Sequence, residues 1–173
     1  IGEENKGWTY AKLLLTHERT GIAQVPRSKR RLAALKRTAA QTDDGFGGSM
    51  ADNPAFKQKL AEMDIQLQAL EYSDLRTLAA LSVGKAPGPE SSILKIVGTE
   101  LAQQMDEMFV QLAGYHCLPF VPDQFEEGFQ GQYIGPGTTA STALTYFNNR
   151  KLSIFGGSNE IQRNIICKAV LSL

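Results

Sequence analysis

Two stretches of the 173-residue chain combine residue types that could perform chemistry. In the first, Leu13–Gly21, the carboxylate of Glu18 follows three leucines and falls on the same helical face as other apolar residues. Apolar surroundings raise the pKa of a carboxyl group, which suits a general base working near neutral pH. A surface carboxylate paired with a neighbouring cation would give the same pattern, and the spacing is compatible with both interpretations.

The second stretch is the glycine turn, Phe155–Glu160, which opens a predicted helix near the end of the chain. Gly156 and Gly157 permit positive φ angles and carry no side chain that would block a ligand. Ser158 can then cap the helix, and bare N–H groups at a helix start form an anion or carbonyl site. An ordinary capped helix after a glycine turn is the alternative, and Glu160 in the first turn disfavours a phosphate placed directly on this end.

The remaining polar features give weaker signals. His17 and His116 are far apart and have no acidic or thiol partner at ligand spacing, so no metal site is predicted. The segment Arg27–Arg37 carries six cations in eleven residues. It fits a solvated helix face or subunit contact, or the edge of a site for a nucleotide phosphate.

Composition narrows the function class. The 18 Lys and Arg residues balance the 18 Asp and Glu residues, so charge gives no support for nucleic-acid binding. The chain has two cysteines and no apolar run near the roughly 20 residues that cross a bilayer, which favours a reducing, cytoplasmic location without a membrane span. Because it opens on Ile1 rather than Met, we expect a domain of a longer polypeptide.

Helical spacing of apolar residues dominates the chain, and strand signals are scarce. The first helical segment is predicted over Trp8–Ala40, where Pro26 should kink or split it. The second starts at Asn53 and Pro54, a capping residue followed by a proline suited to the first helical position. The third runs over Ser91–Ala113.

A short helix over Thr138–Asn149 and a final helix beginning near Ser158 complete the prediction, after an irregular stretch at Gly114–Gly137. These elements predict an all-α fold, an up-and-down four-helix bundle in which residues 1–173 form a single domain. Six residues of the second and third segments should form its core: Leu60, Met63, Leu67, Leu94, Val97 and Leu101.

Both stretches that could perform chemistry resemble segments of the acyl-CoA dehydrogenase family. That family shows an aromatic residue, then Glu-Gly-Thr-Ser-x-Ile-Gln-Arg, and Phe155–Arg163 is similar to this motif. Gly2–Trp8 resembles the entry to the family's first C-terminal helix, and Leu15–Gly21 resembles the segment that lines the acyl thioester. The resemblance implies the C-terminal helical domain of a flavoenzyme whose N-terminal helical and middle β domains lie outside this chain.

The resemblance also implies a reaction. In the family a glutamate removes the α-proton of an acyl-CoA, and FAD accepts the β-hydrogen as hydride. Many members place that glutamate at the position of Gly156, whereas others place it in a segment of the form Leu-x-x-Glu-Arg, which Leu15–Arg19 matches. The resemblance therefore implies that Glu18 is the base and that the Gly156 N–H polarises the thioester carbonyl.

Further roles carry over position by position. Arg19 and Gly157 would contact the acyl-CoA, and Ser158 and Glu160 would contact FAD. Gln111 and Gly114 match the family's Gln-x-x-Gly, which holds the flavin of a neighbouring subunit.

This sequence departs from the family's motifs at two places. Tyr115 and His116 replace the residues that follow the family's Gln-x-x-Gly, and Asp43 and Asp44 stand where the family has an arginine that grips the adenine end of the flavin.

The implied assembly is a homodimer or homotetramer, with a hetero-oligomer also open, and the implied electron acceptor is electron-transfer flavoprotein. A non-catalytic helical subunit of a hetero-oligomeric flavoenzyme is the competing interpretation. A related oxidase that passes electrons to oxygen is a third.

Overall fold

The computed structural model describes residues 2–18, 21, 23–85, 88–136 and 139–172, and for residues 15–18 it describes the backbone alone. These residues contain six α-helices and no β-strand, which confirms the predicted all-α fold. The helices are α1 Gly7–Glu18, α2 Val25–Gln41, α3 Pro54–Ser82, α4 Glu90–Ala113, α5 Thr142–Asn149 and α6 Asn159–Ile166. Within the described ranges, no helix is both long enough and apolar enough to cross a membrane.

Helix α2 begins where the sequence predicts a break in the first segment. Pro26 occupies the first turn of α2, where its fixed φ suits a helix and its missing N–H needs no partner. Gln24 precedes it in the left-handed region, with φ 47°. The predicted split at Pro26 is confirmed.

Contacts between side chains fix the directions of the long helices. Lys29 of α2 pairs with Glu71 of α3 at 2.5 Å, and Lys36 pairs with Asp64, so the two helices run antiparallel. Lys59 near the start of α3 donates to Gln111 near the end of α4 at 3.2 Å, which makes α3 and α4 antiparallel as well. The predicted up-and-down arrangement is therefore confirmed.

Helix α4 lies at the centre and packs against α2, α3, α5 and α6. Five of the six predicted core residues are buried, and Val97 is half-buried against the same cluster. The apolar stripes of α2, α3 and α4 thus face one another, as their spacing predicts. The other main core side chains come from α2, α3 and α4: Leu32, Leu35, Phe56, Leu70, Met105 and Met108.

Helix α1 departs from the predicted pattern. Its apolar stripe was expected to face inward with that of α2, but Leu14 is 68% exposed and Ala11 is half-buried. Helix α1 ends at Glu18 and α2 begins at Val25, so they are separate helices, and a stripe that is continuous in sequence does not continue in space.

Helix α5 begins at Thr142, four residues after the predicted start at Thr138, which lies outside the described residues. Thr139 explains the late start. Its backbone N–H and its hydroxyl both donate to the Pro136 carbonyl, and the hydroxyl also donates to Ile134, which closes a turn before the helix.

Candidate active site

The glycine turn adopts the conformation that only glycine takes without strain. Gly156 has φ 68° and Gly157 has φ 83°. Both residues are exposed, and neither N–H has a hydrogen-bond acceptor among the described residues. The turn therefore presents free backbone donors beside the start of α6, as an oxyanion site requires.

Ser158 and Glu160 shape the helix end next to this turn. The Ser158 hydroxyl oxygen accepts from the Ile161 N–H at 3.4 Å, which confirms the predicted cap. Hydrogen bonds from the backbone N–H of Glu160 and from Ser158 lower the pKa of the Glu160 carboxyl. The first turn of α6 thus carries a carboxylate that is stabilised in its ionised form.

A buried hydrogen-bond network holds the glycine turn on α4. The Ser92 hydroxyl donates to Gln162 at 2.8 Å, and the Gln162 amide donates to the Gly157 carbonyl at 3.3 Å. Ser92 and Gln162 are 0% and 1% exposed, so the hydrogen bond between them is shielded from water. A Cβ on Gly157 would lie 2.6 Å from the Gln162 amide nitrogen, which makes glycine necessary here for space as well as for φ.

Lys95 lies beneath the start of α6. It is 1% exposed, and its ammonium donates to the Asn159 side chain at 2.6 Å. Burial lowers the pKa of Lys95, and the carboxylates of Glu160 and Glu100 act in the opposite direction. No carboxylate among the described residues forms a salt bridge with it.

A second buried cluster fixes the segment that leads into the turn. Asp106 accepts a hydrogen bond from the Asn149 amide at 2.7 Å and pairs with Arg31. Burial raises the pKa of Asp106, while the Asn149 hydrogen bond and the Arg31 charge act to lower it. Gln103 donates to the carbonyls of Asn149 and Arg150, so the end of α5 is attached to α4 at two levels.

The structure describes Glu18 in part and Arg19 not at all. Glu18 is the last residue of α1, but its side chain lies outside the described residues, as does Arg19. Ala23, five residues further along, is 2% exposed and packs on Gly98 of α4. A Cβ on Gly98 would lie 2.9 Å from the Ala23 carbonyl oxygen, so this glycine permits the close approach.

Gln111 and Gly114 lie at the other end of α4. Sixteen residues separate Lys95 from Gln111, which is about 24 Å along a helix. Gln111 and Gly114 line an open groove of about 640 Å³ together with Asp43. They therefore lie far from Ser158, near the opposite end of α4.

The acidic loop Asp43–Ser49 borders this groove. Backbone N–H groups of Phe46 and Gly48 donate to Asp44 and lower the pKa of its carboxyl. Asp43 accepts from the Gly45 N–H at 2.6 Å. Two aspartates thus stand where the resemblance leads one to expect a cation.

A comparison with protein families decides what the chain is. A family model described as the acyl-CoA dehydrogenase C-terminal domain matches residues 5–171. The chain belongs to the acyl-CoA dehydrogenase family. The boundaries of the match enclose the Glu18 segment and the glycine turn, so both stretches are parts of the family's own domain.

Acyl-CoA dehydrogenase IpdE1 of Mycolicibacterium smegmatis is 27% identical over 175 residues, which is all of this chain and 38% of that protein. This chain therefore spans about two fifths of the length of the M. smegmatis relative. The ChsE4–ChsE5 complex of Mycobacterium tuberculosis shares the fold, with a TM-score of 0.74 at 24% identity over 100% of this chain and 42% of that chain. PigA, solved with FAD and proline, has a TM-score of 0.75 at 17% identity over 97% of this chain and 39% of that chain.

The sequence analysis did not predict the residues of α4 that hold the glycine turn and the start of α6. Ser92, Lys95 and Thr99 interrupt α4 at spacings of three and four, which is a polar stripe on one helix face. That stripe was the available signal, because polar residues at core spacing need buried partners. The partners lie on α6, 60 to 70 positions away in sequence.

Proposed function

We propose that this chain is the C-terminal domain of an FAD-dependent acyl-CoA dehydrogenase and that it supplies the catalytic base. Family membership carries the general reaction, a dehydrogenation of an acyl-CoA thioester across its α and β carbons. The observation that carries the site is the pair of exposed glycine N–H groups at residues 156 and 157, which have positive φ and no acceptor among the described residues.

In this mechanism Glu18 takes the α-proton and the Gly156 N–H donates to the thioester carbonyl oxygen. Polarisation of that carbonyl stabilises the negative charge that develops as the α-proton leaves. The electron pair of the broken α C–H bond becomes the new double bond, and the β-hydrogen departs with its own electron pair. Arg19 and Gly157 are proposed to hold the acyl-CoA beside these two groups.

FAD would accept the β-hydrogen as hydride. The start of α6 fits its diphosphate in part, because Ser158 offers a backbone N–H group and Lys95 adds a positive charge behind it. The Glu160 carboxylate opposes a phosphate placed directly on the helix end and fits a hydroxyl of the nucleotide instead. The Gln111 and Gly114 groove would take part of a flavin bound by a neighbouring subunit.

We propose a homodimer or homotetramer as the assembly, with electron-transfer flavoprotein as the acceptor. Cys117 and Cys167 are free thiols, which supports a reducing cytoplasm.

The acidic loop at Asp43 favours a second candidate assembly, in which this chain pairs with a different subunit and its own outer groove carries no flavin. One of the structural neighbours is itself a complex, of ChsE4 with ChsE5.

The decisive experiment uses the full-length flavoprotein and its reduction by acyl-CoA. Wild-type enzyme should be reduced, and Glu18→Gln should keep its flavin while the reduction rate falls by about 10²-fold or more, the scale of a lost general base. Glu4→Gln, at an exposed position before α1, is the matched control and should react at the wild-type rate. Near-normal reduction of the Glu18→Gln enzyme would overturn the assignment.

A further inference from the structure

A small cavity of about 60 Å³ lies between the start of α2, the middle of α4 and the segment before the glycine turn. A single water needs about 10–15 Å³ of such space, so the cavity can hold a group larger than one water. Its polar wall carries Arg27, Arg31 and Lys95, and its apolar wall includes Leu152 and Phe155. No carboxylate lines it among the described residues.

Two cationic side chains in the wall of this cavity have N–H donors without a partner among the described residues. Lys95 has three N–H donors and one acceptor there, the Asn159 side chain. The Nε of Arg31 is buried without a partner in the same part of the chain, although its terminal nitrogen pairs with Asp106. A buried donor without an acceptor is unfavourable, so these groups require a ligand that accepts hydrogen bonds.

The hydrogen bonds of the wall leave these donors unmatched. The Gln24 side-chain oxygen accepts from Arg27 at 3.0 Å, while the Asn149 amide and the Thr99 hydroxyl act as donors, to Asp106 and to the Lys95 carbonyl. None of the three accepts from Lys95 or from the Nε of Arg31. An external ligand that accepts hydrogen bonds would therefore satisfy both cations.

We propose that this cavity binds a carboxylate. Lys95 and the Nε of Arg31 would donate to its oxygens from the inner side, and Arg27, which is exposed, would close the outer side. Phe155 lines the cavity and is bonded directly to Gly156, so the site adjoins the proposed oxyanion donor. The carboxylate is either a free small acid or the far end of the substrate's acyl group, and the second source rests on the proposed function.

Binding of a free carboxylate is tested first, because this measurement needs no turnover. In the full-length protein, formate should raise the midpoint of thermal unfolding relative to chloride at equal ionic strength. Lys95→Met should lose this protection, and so should Arg27→Gln, whose exposed position keeps the fold intact. The proposal would be overturned if formate does not protect the wild type, or if it protects both variants as strongly as the wild type.

The second measurement distinguishes the sources. Flavin reduction is followed with an acyl-CoA that ends in a carboxylate and with its methyl ester. If the acyl group supplies the carboxylate, the ester should have a KM about tenfold higher, the scale of one charge-assisted hydrogen bond, and Arg27→Gln should remove the difference. Equal KM values with formate protection intact identify a free acid, and loss of all turnover affects the proposed function without affecting the formate result.

Discussion

Lys95 places a charge inside the protein without a salt-bridge partner among the described residues, and its titration should be visible in stability. Burial lowers its pKa below the ordinary 10.5, so the folded chain releases this proton at a lower pH than the unfolded chain. The unfolded state therefore binds more protons between the two pKa values, and the free energy of unfolding should rise with pH over that interval.

Replacement of Lys95 tests whether the free energy of unfolding rises with pH for this reason. Lys95→Met should lack the increase in the free energy of unfolding as the pH rises toward 10.5, measured by urea unfolding at a series of pH values. Lys57→Met, at an exposed position of α3, is the surface control and should keep the wild-type slope. A Lys95→Met slope equal to that of the wild type would show that the buried ammonium does not titrate in this range.

Gly157 is required both by its φ and by the space around it. Gly157→Ala should cost about 1–2 kcal/mol for a left-handed alanine and about 1 kcal/mol more if the Gln162 bond to its carbonyl is lost. Gly84→Ala has a similar φ of 80° but meets no atom of the described residues within 4 Å, so it isolates the first cost. Chemical unfolding should place Gly157→Ala clearly below Gly84→Ala, and equal losses would mean that Gln162 moves aside freely.

At the level of helices, the close approach of Ala23 to Gly98 links the Glu18 segment to α4. Gly98→Ala gains helix propensity but forces backbone atoms apart, and overpacking costs about 1–3 kcal/mol. In the full-length enzyme the displaced link should lower the rate of flavin reduction while flavin stays bound. Gly7→Ala meets no atom within 4 Å and serves as the control. An unchanged rate in Gly98→Ala would contradict the link.

The starts of α3 and α6 followed from the sequence because their causes are local. Asn53 caps α3 through the Phe56 N–H, and Ser158 caps α6 through the Ile161 N–H, each within three residues. Interactions under the glycine turn could not be predicted in this way, since Lys95 and Asn159 are 64 positions apart. Their pairing depends on how α4 and α6 pack, which no window of sequence contains.

The molecule as a whole leaves apolar side chains uncovered, among them those of α1 and α3. Leu13 and Leu14 of α1 are more than half exposed, as are Ile65, Tyr72 and Leu75 of α3. Exposed apolar faces of this kind mark contact surfaces. The chain should therefore self-associate in sedimentation experiments, and Ile65→Glu with Tyr72→Glu should weaken that association. Gln58→Glu is the matched control, and a wild-type monomer at all concentrations would contradict the prediction.

The contact between Ala23 and Gly98 also sets a covalent limit on the proposed base. Five residues lead from Glu18 to Ala23, and an extended chain spans at most about 3.6 Å per residue, so the tether is no longer than roughly 18 Å. Its anchor lies one helical turn from Lys95, which contacts the first residue of α6. The distance that Glu18 can span is therefore limited by its attachment to α4, the helix that also contacts the start of α6. Each residue inserted between positions 19 and 22 would lengthen that distance by at most about 3.6 Å.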